Sequence, residues 1–361
     1  MMSDAANVIF VPKQEHGLLG DALDQLLSEQ ASIKDGWRPL WQQLAEAGIL
    51  SAALPESEGG LQDTRALALL AERLGRSGAV SPFISSAVAA TALLGRAPEA
   101  ERFARLREDL AAGSVIAAIH LPDSPDGARD AITLADGKLN GVARLVPFGA
   151  EADFVLLSAM EKGEVPVLAL VPKSDVAVDH AAIGIDDASY ATLRLDGIAL
   201  KPEFEVARGA EAERLMAWGR DILIAMHCAE ALGAMSMLVD MTRDYLKVRH
   251  QFGEPLSAFQ VLRHRLADMD MALTEARSVV ECAAGLIEED DAFARRQAVI
   301  ATHFTVARAA LKVSQDSVQL HGGIGMANET PVGGYFRRLL TLPLLFGDED
   351  ACAESYARRT V

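Results

Sequence analysis

RHQFGEPLSAFQ, residues 249–260, divides two long stretches of helical periodicity, 211–247 and 256–288. Phe252-Gly253 turns the chain, because glycine takes positive φ without a Cβ penalty. Pro255 has its φ preset for the first turn of a helix and lacks an N–H that this turn would leave unpaired. Arg249 then falls at the end of the first helix, and Gln260 one turn inside the second. Taken alone, the segment is an ordinary helical hairpin whose last-turn arginine satisfies helix carbonyls.

Downstream, a third periodic stretch, 293–320, is closed by HGGIG at 321–325, within QLHGGIGMANETPVGGYFRR (319–338). Gly322, Gly323 and Gly325 allow a sharp turn and close approach of backbone to a ligand. They fit neither the G-x-x-x-x-G-K-S/T loop nor a glycine turn that opens a helix after a strand, so the phosphate-loop and Rossmann readings fail. A plain helix terminus is the alternative.

Upstream, the character changes. Residues 114–203 carry short β-rich runs divided by Gly, Asp and Pro: VIAAIHL (115–121), AITL (131–134), KLNGVARLV (138–146), DFVLLSA (153–159), VPVLALV (165–171) and YATLRLDG (190–197). Asp136-Gly137 between two of them is a hairpin signal. These runs predict a small antiparallel barrel or sandwich. Before them, WRPLWQQLAEAGIL (37–50) and TRALALLAERLGRSG (64–78) repeat apolar residues at helical spacing, broken by LPESEGG (54–60) and stopped at Gly75 and Gly78. The fold class is therefore a multidomain α+β chain: a helical domain at 1–113, an antiparallel β-barrel or sandwich at 114–205, and a four-helix-bundle-like domain at 206–361.

Composition narrows the function. Of 361 residues, 51 are acidic and 34 basic, a formal charge of −17. That disfavours a nucleic-acid binder or an anionic-membrane binder, both of which need a basic surface. A phosphate-bearing ligand must then be held by a local arginine or by backbone N–H groups. Cys228, Cys282 and Cys352 form no CxxC pair, which predicts a reducing, cytoplasmic setting without disulfides. The N-terminus, with Asp4, Lys13, Glu15 and His16, shows no apolar signal core. Ile222–Val239 is the most apolar stretch but contains His227 and Glu230, so it reads as a buried bundle helix rather than a bilayer span. The 211–247 helix is apolar around much of its circumference, which predicts that a second chain covers part of it. The histidines show no metal-binding spacing, and no metal is expected.

Taken together and in this order, the motifs resemble the acyl-CoA dehydrogenase family. Its pattern is R-x-x-F-G, a helix with Gln, then Q-x-x-G-G-x-G, then an aromatic-Arg-Asp step. Here these are Arg249, Phe252, Gly253, Gln260, Gln319, Gly322, Gly323, Gly325 and Phe336-Arg337-Arg338. The LAEAG, LPESEGG and ERLG segments and the 138–159 hairpin are similar to its first two domains. The resemblance implies FAD as cofactor, met by Arg249, Gln251, Phe252, Leu256, Phe259 and Gln260. It also implies that Gln319, Gly322 and Gly323 contact the adenosine-diphosphate end, all serving a neighbouring subunit's flavin. It implies an acyl-CoA thioester substrate, α,β-desaturation, an electron-transfer flavoprotein as acceptor, and a dimer or tetramer.

Against the family pattern, the usual position of the glutamate base is Phe346, and the minority position is Leu223; neither can take a proton. Asp221 matches a family aspartate, but its usual arginine companion falls at Ile224. The flavin loop near 119–128 and the strand at Leu145-Val146-Pro147 also depart. This resembles the base-lacking subunit of heteromeric bacterial steroid side-chain acyl-CoA dehydrogenases. The alternatives are a self-sufficient enzyme whose base is relocated to Asp221, Asp348 or Glu349, and a flavin-free helical scaffold.

Overall fold

A computed structural model of the chain describes residues 14–28, 36–122, 132–327, 330–347 and 349–360. The first part is helical: α1 (Gln14–Ser28), α2 (Arg38–Glu46), α3 (Thr64–Ser77), α4 (Thr91–Gly95) and α5 (Ala104–Ala111). A π-helical stretch with i→i+5 bonding, Phe83–Ala90, runs directly into α4 and is buried throughout. The Asp63 carboxylate caps α3 by accepting from the N–H groups of Arg65 and Ala66, and Gly78 at φ 73° ends it. Gly75 is not the stop that the sequence suggests. A Cβ there would lie 1.9 Å from the Glu230 carbonyl oxygen, and one on Gly233 would lie 1.9 Å from that of Glu72. Each glycine lets the backbone of α3 or of the long helix described below approach the other closely.

The middle part is a sheet of eight strands: β1 (Ala117–His120), β2 (Thr133–Ala135), β3 (Lys138–Pro147), β4 (Phe154–Glu161), β5 (Val165–Pro172), β6 (Ala177–Ile183), β7 (Ser189–Ala199) and β8 (Glu205–Arg208). Their order is β6-β7-β3-β2-β4-β5-β8, with β1 also on β4. The sheet is mixed rather than antiparallel, because β1 and β2 both run parallel to β4. The Asp136-Gly137 hairpin forms as expected, both residues taking positive φ (49° and 73°) between β2 and β3.

The last part is built on α6 (Ala210–Val248), with α7 (Gln260–Leu286), α8 (Ala292–His321), α9 (Val332–Phe346) and α10 (Glu349–Thr360). Asp291 caps α8 by accepting from the N–H groups of Phe293 and Ala294. Between α6 and α7, β9 (His250–Gln251) pairs with β10 (Glu254–Pro255), and a 3₁₀ turn at Leu256–Ala258 follows. Pro255 is thus extended (ψ 147°) rather than helical, and α7 starts at Gln260 itself. This chain itself covers most of α6. The helix is long and apolar enough to cross a membrane, but 72% of its apolar window is buried inside this chain. The face left open belongs to α7, where Val261 and Met271 are exposed and few side chains are buried.

Candidate active site

Two places gather the residues singled out by sequence. The first is the far end of α6. Thr242 Oγ1 donates to Ser317 Oγ at 3.1 Å, and Tyr245 stacks on His321 with centroids 4.5 Å apart. These contacts bring the C-termini of α6 and α8 side by side, so Arg249 and Gly322 emerge at one end of the bundle. Arg249 ends α6 in extended conformation, and its carbonyl accepts from Leu256 N–H at 2.8 Å. Its side chain is exposed and makes no ion pair among the described residues. Arg263, one turn into α7, is likewise exposed and without an ion pair among them. In a chain of charge −17, these two exposed guanidiniums are open to an anionic ligand.

The glycines suit a ligand. Gly322 sits at φ 66°, and a Cβ on it or on Gly323 would meet nothing within 4 Å. Phe252, at positive φ (55°), is 91% exposed and stacks edge-on against Phe259 at 6.2 Å. Gln251, Gln260 and Gln319 are exposed, and Leu256 and Phe259 half-buried. The set is two guanidinium charges, several side-chain amides and a glycine turn open to close approach. It fits a pyrophosphate with flanking ribose and base, which is the FAD that the sequence implies.

The second place is a cleft of about 310 Å³ between the sheet, α6 and α9. Leu223 lines it from α6 and Phe346 from the end of α9. Both of the positions where a base was sought therefore meet at one cavity, and both are apolar. The sheet wall is Arg144, Leu145, Pro147 and Phe148. There β3 loses register between Ala143 and Val146, and Leu145 takes φ 50°, so the Leu-Val-Pro departure is a bulge. Of the 119–128 loop, Ile119–Pro122 reach the cleft and 123–131 lie outside the described residues.

The inner wall is polar. Glu230 Oε1 accepts from Arg338 Nη2 at 2.5 Å, and His227 Nδ1 lies 3.4 Å from Glu230 Oε2. Burial pushes the Glu230 carboxyl up, but the Arg338 guanidinium outweighs it, with His227 adding, and takes it down to about 2. Nearby, Tyr190 donates to Asp186 at 2.7 Å, and burial with that carboxylate drives its phenol well above the ordinary range. Arg338 also donates to the Gly78 carbonyl, and Tyr335 donates to that of Arg76 at 2.6 Å, tying α9 to the end of α3. Sequence reasoning passed over this group. The signal was His227-x-x-Glu230 inside the most apolar stretch, two charged residues that needed a partner.

Asp221 is not brought to the cleft. It is 1% exposed and clasped by Arg295 Nε at 3.0 Å and Arg296 Nη1 at 2.9 Å, so its arginine companions come from α8 rather than from Ile224. Asp348 lies outside the described residues, as does the side chain of Glu349, which opens α10.

Sequence models of the acyl-CoA dehydrogenase N-terminal and C-terminal domains match residues 21–113 and 212–361. The chain belongs to the acyl-CoA dehydrogenase family. Acyl-CoA dehydrogenase FadE27 of Mycobacterium tuberculosis is 29% identical over 313 residues, covering 83% of this chain and 82% of that protein. The ChsE4-ChsE5 complex of Mycobacterium tuberculosis superposes with a TM-score of 0.88 at 25% identity, covering 97% of this chain and 98% of its counterpart. A variant of the Tcur3481-Tcur3483 steroid ACAD superposes at 0.85 and 26% identity, over 96% and 97%. Within this family of oxidoreductases the chain keeps the helix–sheet–helix order. At the aromatic-Arg-Asp step it carries Arg338, whose charge Glu230 answers.

Proposed function

We propose that this chain is the subunit of a heteromeric, FAD-dependent acyl-CoA dehydrogenase that lacks the family's carboxylate base and completes a companion chain's flavin site. The observation that carries this is the meeting of Leu223 and Phe346 in one cleft, with no carboxylate at either position. Geometry adds to it. Arg249 lies 26 residues beyond Leu223 on one helix, roughly 39 Å at the usual helical rise. A guanidinium at that distance cannot touch a group seated in its own cleft, so the lobe serves another chain. Both solved relatives described above are two-component assemblies by name, and one is a steroid enzyme, which favours a bulky acyl-CoA thioester as substrate.

In this reading Arg249 neutralises the pyrophosphate, with Arg263 beside it. The turn at Gly322 and Gly323, with no Cβ in the way, lets the phosphates approach the backbone, and Gln251, Gln260 and Gln319 meet ribityl, ribose or adenine groups. Phe252, Leu256 and Phe259 pack on the apolar faces. Bound FAD supplies a hydride acceptor, and an electron-transfer flavoprotein then collects the electrons. A relocated carboxylate is disfavoured by the two arginines that hold Asp221. A flavin-free scaffold leaves the unpaired Arg249 and open glycine turn without a purpose.

A visible absorbance scan tests the reading. The chain purified alone should carry no flavin absorbance. Co-expression with a homologous chain encoded beside it should give flavin that an acyl-CoA bleaches. A yellow protein, alone and bleached by acyl-CoA, contradicts the proposal.

A further inference from the structure

The cleft of this chain has lost carboxylates at the two expected positions, yet it keeps an acid–base pair. His227 lies one turn after Leu223 on α6. Helical side chains lean back over the preceding turn, so the imidazole covers the turn that carries Leu223. Its ring centroid is 5.3 Å from that of Phe346. One imidazole therefore lies beside Phe346 and over the turn of Leu223.

The orientation of that imidazole is set from behind. The carboxylate of Glu230, paired with Arg338, can only accept, so it favours the His227 tautomer that carries its proton on Nδ1. The 3.4 Å separation is long, as such bonds are before a ligand closes the site. Nε2 has no partner among the described residues, and the side chain is 21% exposed where it lines the cleft. An unpartnered imidazole nitrogen on a residue that lines a largely apolar cavity, backed by an anchored carboxylate, is a proton acceptor poised for use. An ion pair of Glu230 with Arg338 would be complete without it.

We propose that this cleft exchanges the α-proton of a bound acyl-CoA thioester through His227, with Glu230 as its positioning residue. The proposal rests on the acyl-CoA reading above and adds an activity that needs no flavin. His227 Nε2 takes the proton from the carbon next to the thioester. The C–H bond breaks, the N–H bond forms, and the electron pair moves into the carbon–carbon bond with charge on the thioester oxygen. Arg144 and Arg338 line the cavity in which that charge develops. The imidazolium, stabilised by Glu230, returns a proton to the same carbon. Nothing is oxidised or reduced.

The test incubates the full chain with butyryl-CoA in D₂O. Calorimetry reads binding, and mass spectrometry reads deuterium at the α carbon. Binding with deuterium uptake is expected. His227→Gln should slow uptake about 100-fold while leaving affinity within about two-fold, as loss of a general base does. Glu230→Gln should slow uptake about ten-fold at unchanged affinity, and Glu230→Asp should restore most of it. Circular dichroism confirms folding; if Glu230→Gln unfolds, His227→Gln decides alone. Binding without uptake, or uptake unchanged in His227→Gln, overturns this proposal and leaves the acyl-CoA reading standing. No binding of butyryl-CoA overturns this proposal, whereas the acyl-CoA reading falls only if the two-chain assembly carries no flavin that an acyl-CoA bleaches.

Discussion

Replacing Glu230 with glutamine removes the charge that joins α6 to α9. The carboxyl lies at about 2 in the fold against an ordinary 4.5. Its side chain is 18% exposed and that of Arg338 14%, so solvent screens the pair little. At about 1.36 kcal/mol per pKa unit, the difference amounts to about 3 kcal/mol. A carboxyl lowered in the fold stabilises above its unfolded pKa, and that stabilisation drains away as pH falls through the folded value. The wild-type advantage over Glu230→Gln should therefore be about 3 kcal/mol at pH 7 and about 1.4 kcal/mol at pH 3. Urea unfolding followed by helical circular dichroism at both pH values reads the two gaps. The same gap at pH 7 and pH 3, or a gap below about 1 kcal/mol at neutral pH, would refute the reasoning.

Three further substitutions probe the frame. Gly233→Ala drives a methyl into the Glu72 carbonyl and should cost at least about 1–3 kcal/mol by calorimetry; an unchanged melting temperature would contradict the contact between α3 and α6. Asp221→Asn leaves two buried guanidiniums short of their counter-charge and should destabilise by about 3–5 kcal/mol, while flavin affinity of the folded assembly stays the same. A selective loss of turnover without destabilisation would make Asp221 chemical rather than structural. Tyr335→Phe, which loses one bond to the Arg76 carbonyl, should cost about 1 kcal/mol in urea unfolding; no change would show that α9 is held by other contacts.

Much of the architecture was legible because its signals are local. Asp136-Gly137 announced its hairpin, and three long periodic stretches announced α6, α7 and α8 within a few residues. What escaped depends on distant partners. All seven residues of β6 are exposed, so no alternation marks it, and β8 has only four residues. Strand direction is absent from composition, so β1 and β2 could not be read as parallel to β4. Gly75 looks like a helix stop, and only the backbone of Glu230 across the crossing reveals its use. Likewise α6 looks too apolar for one chain until α3, α7, α8 and α9 are packed around it. In the site, the turns at Arg249 and Gly322 were readable as motif. The Glu230–Arg338 pair joins residues 108 positions apart, and only the fold makes them neighbours.

Flavin titration of the two-chain assembly with Arg249→Ala in this chain alone tests the central claim most directly. The account expects FAD affinity to fall about 10- to 100-fold, since a charge-assisted contact of about 1.5–3 kcal/mol is lost from a site housed in the companion. Flavin affinity equal to that of the unaltered assembly would contradict it.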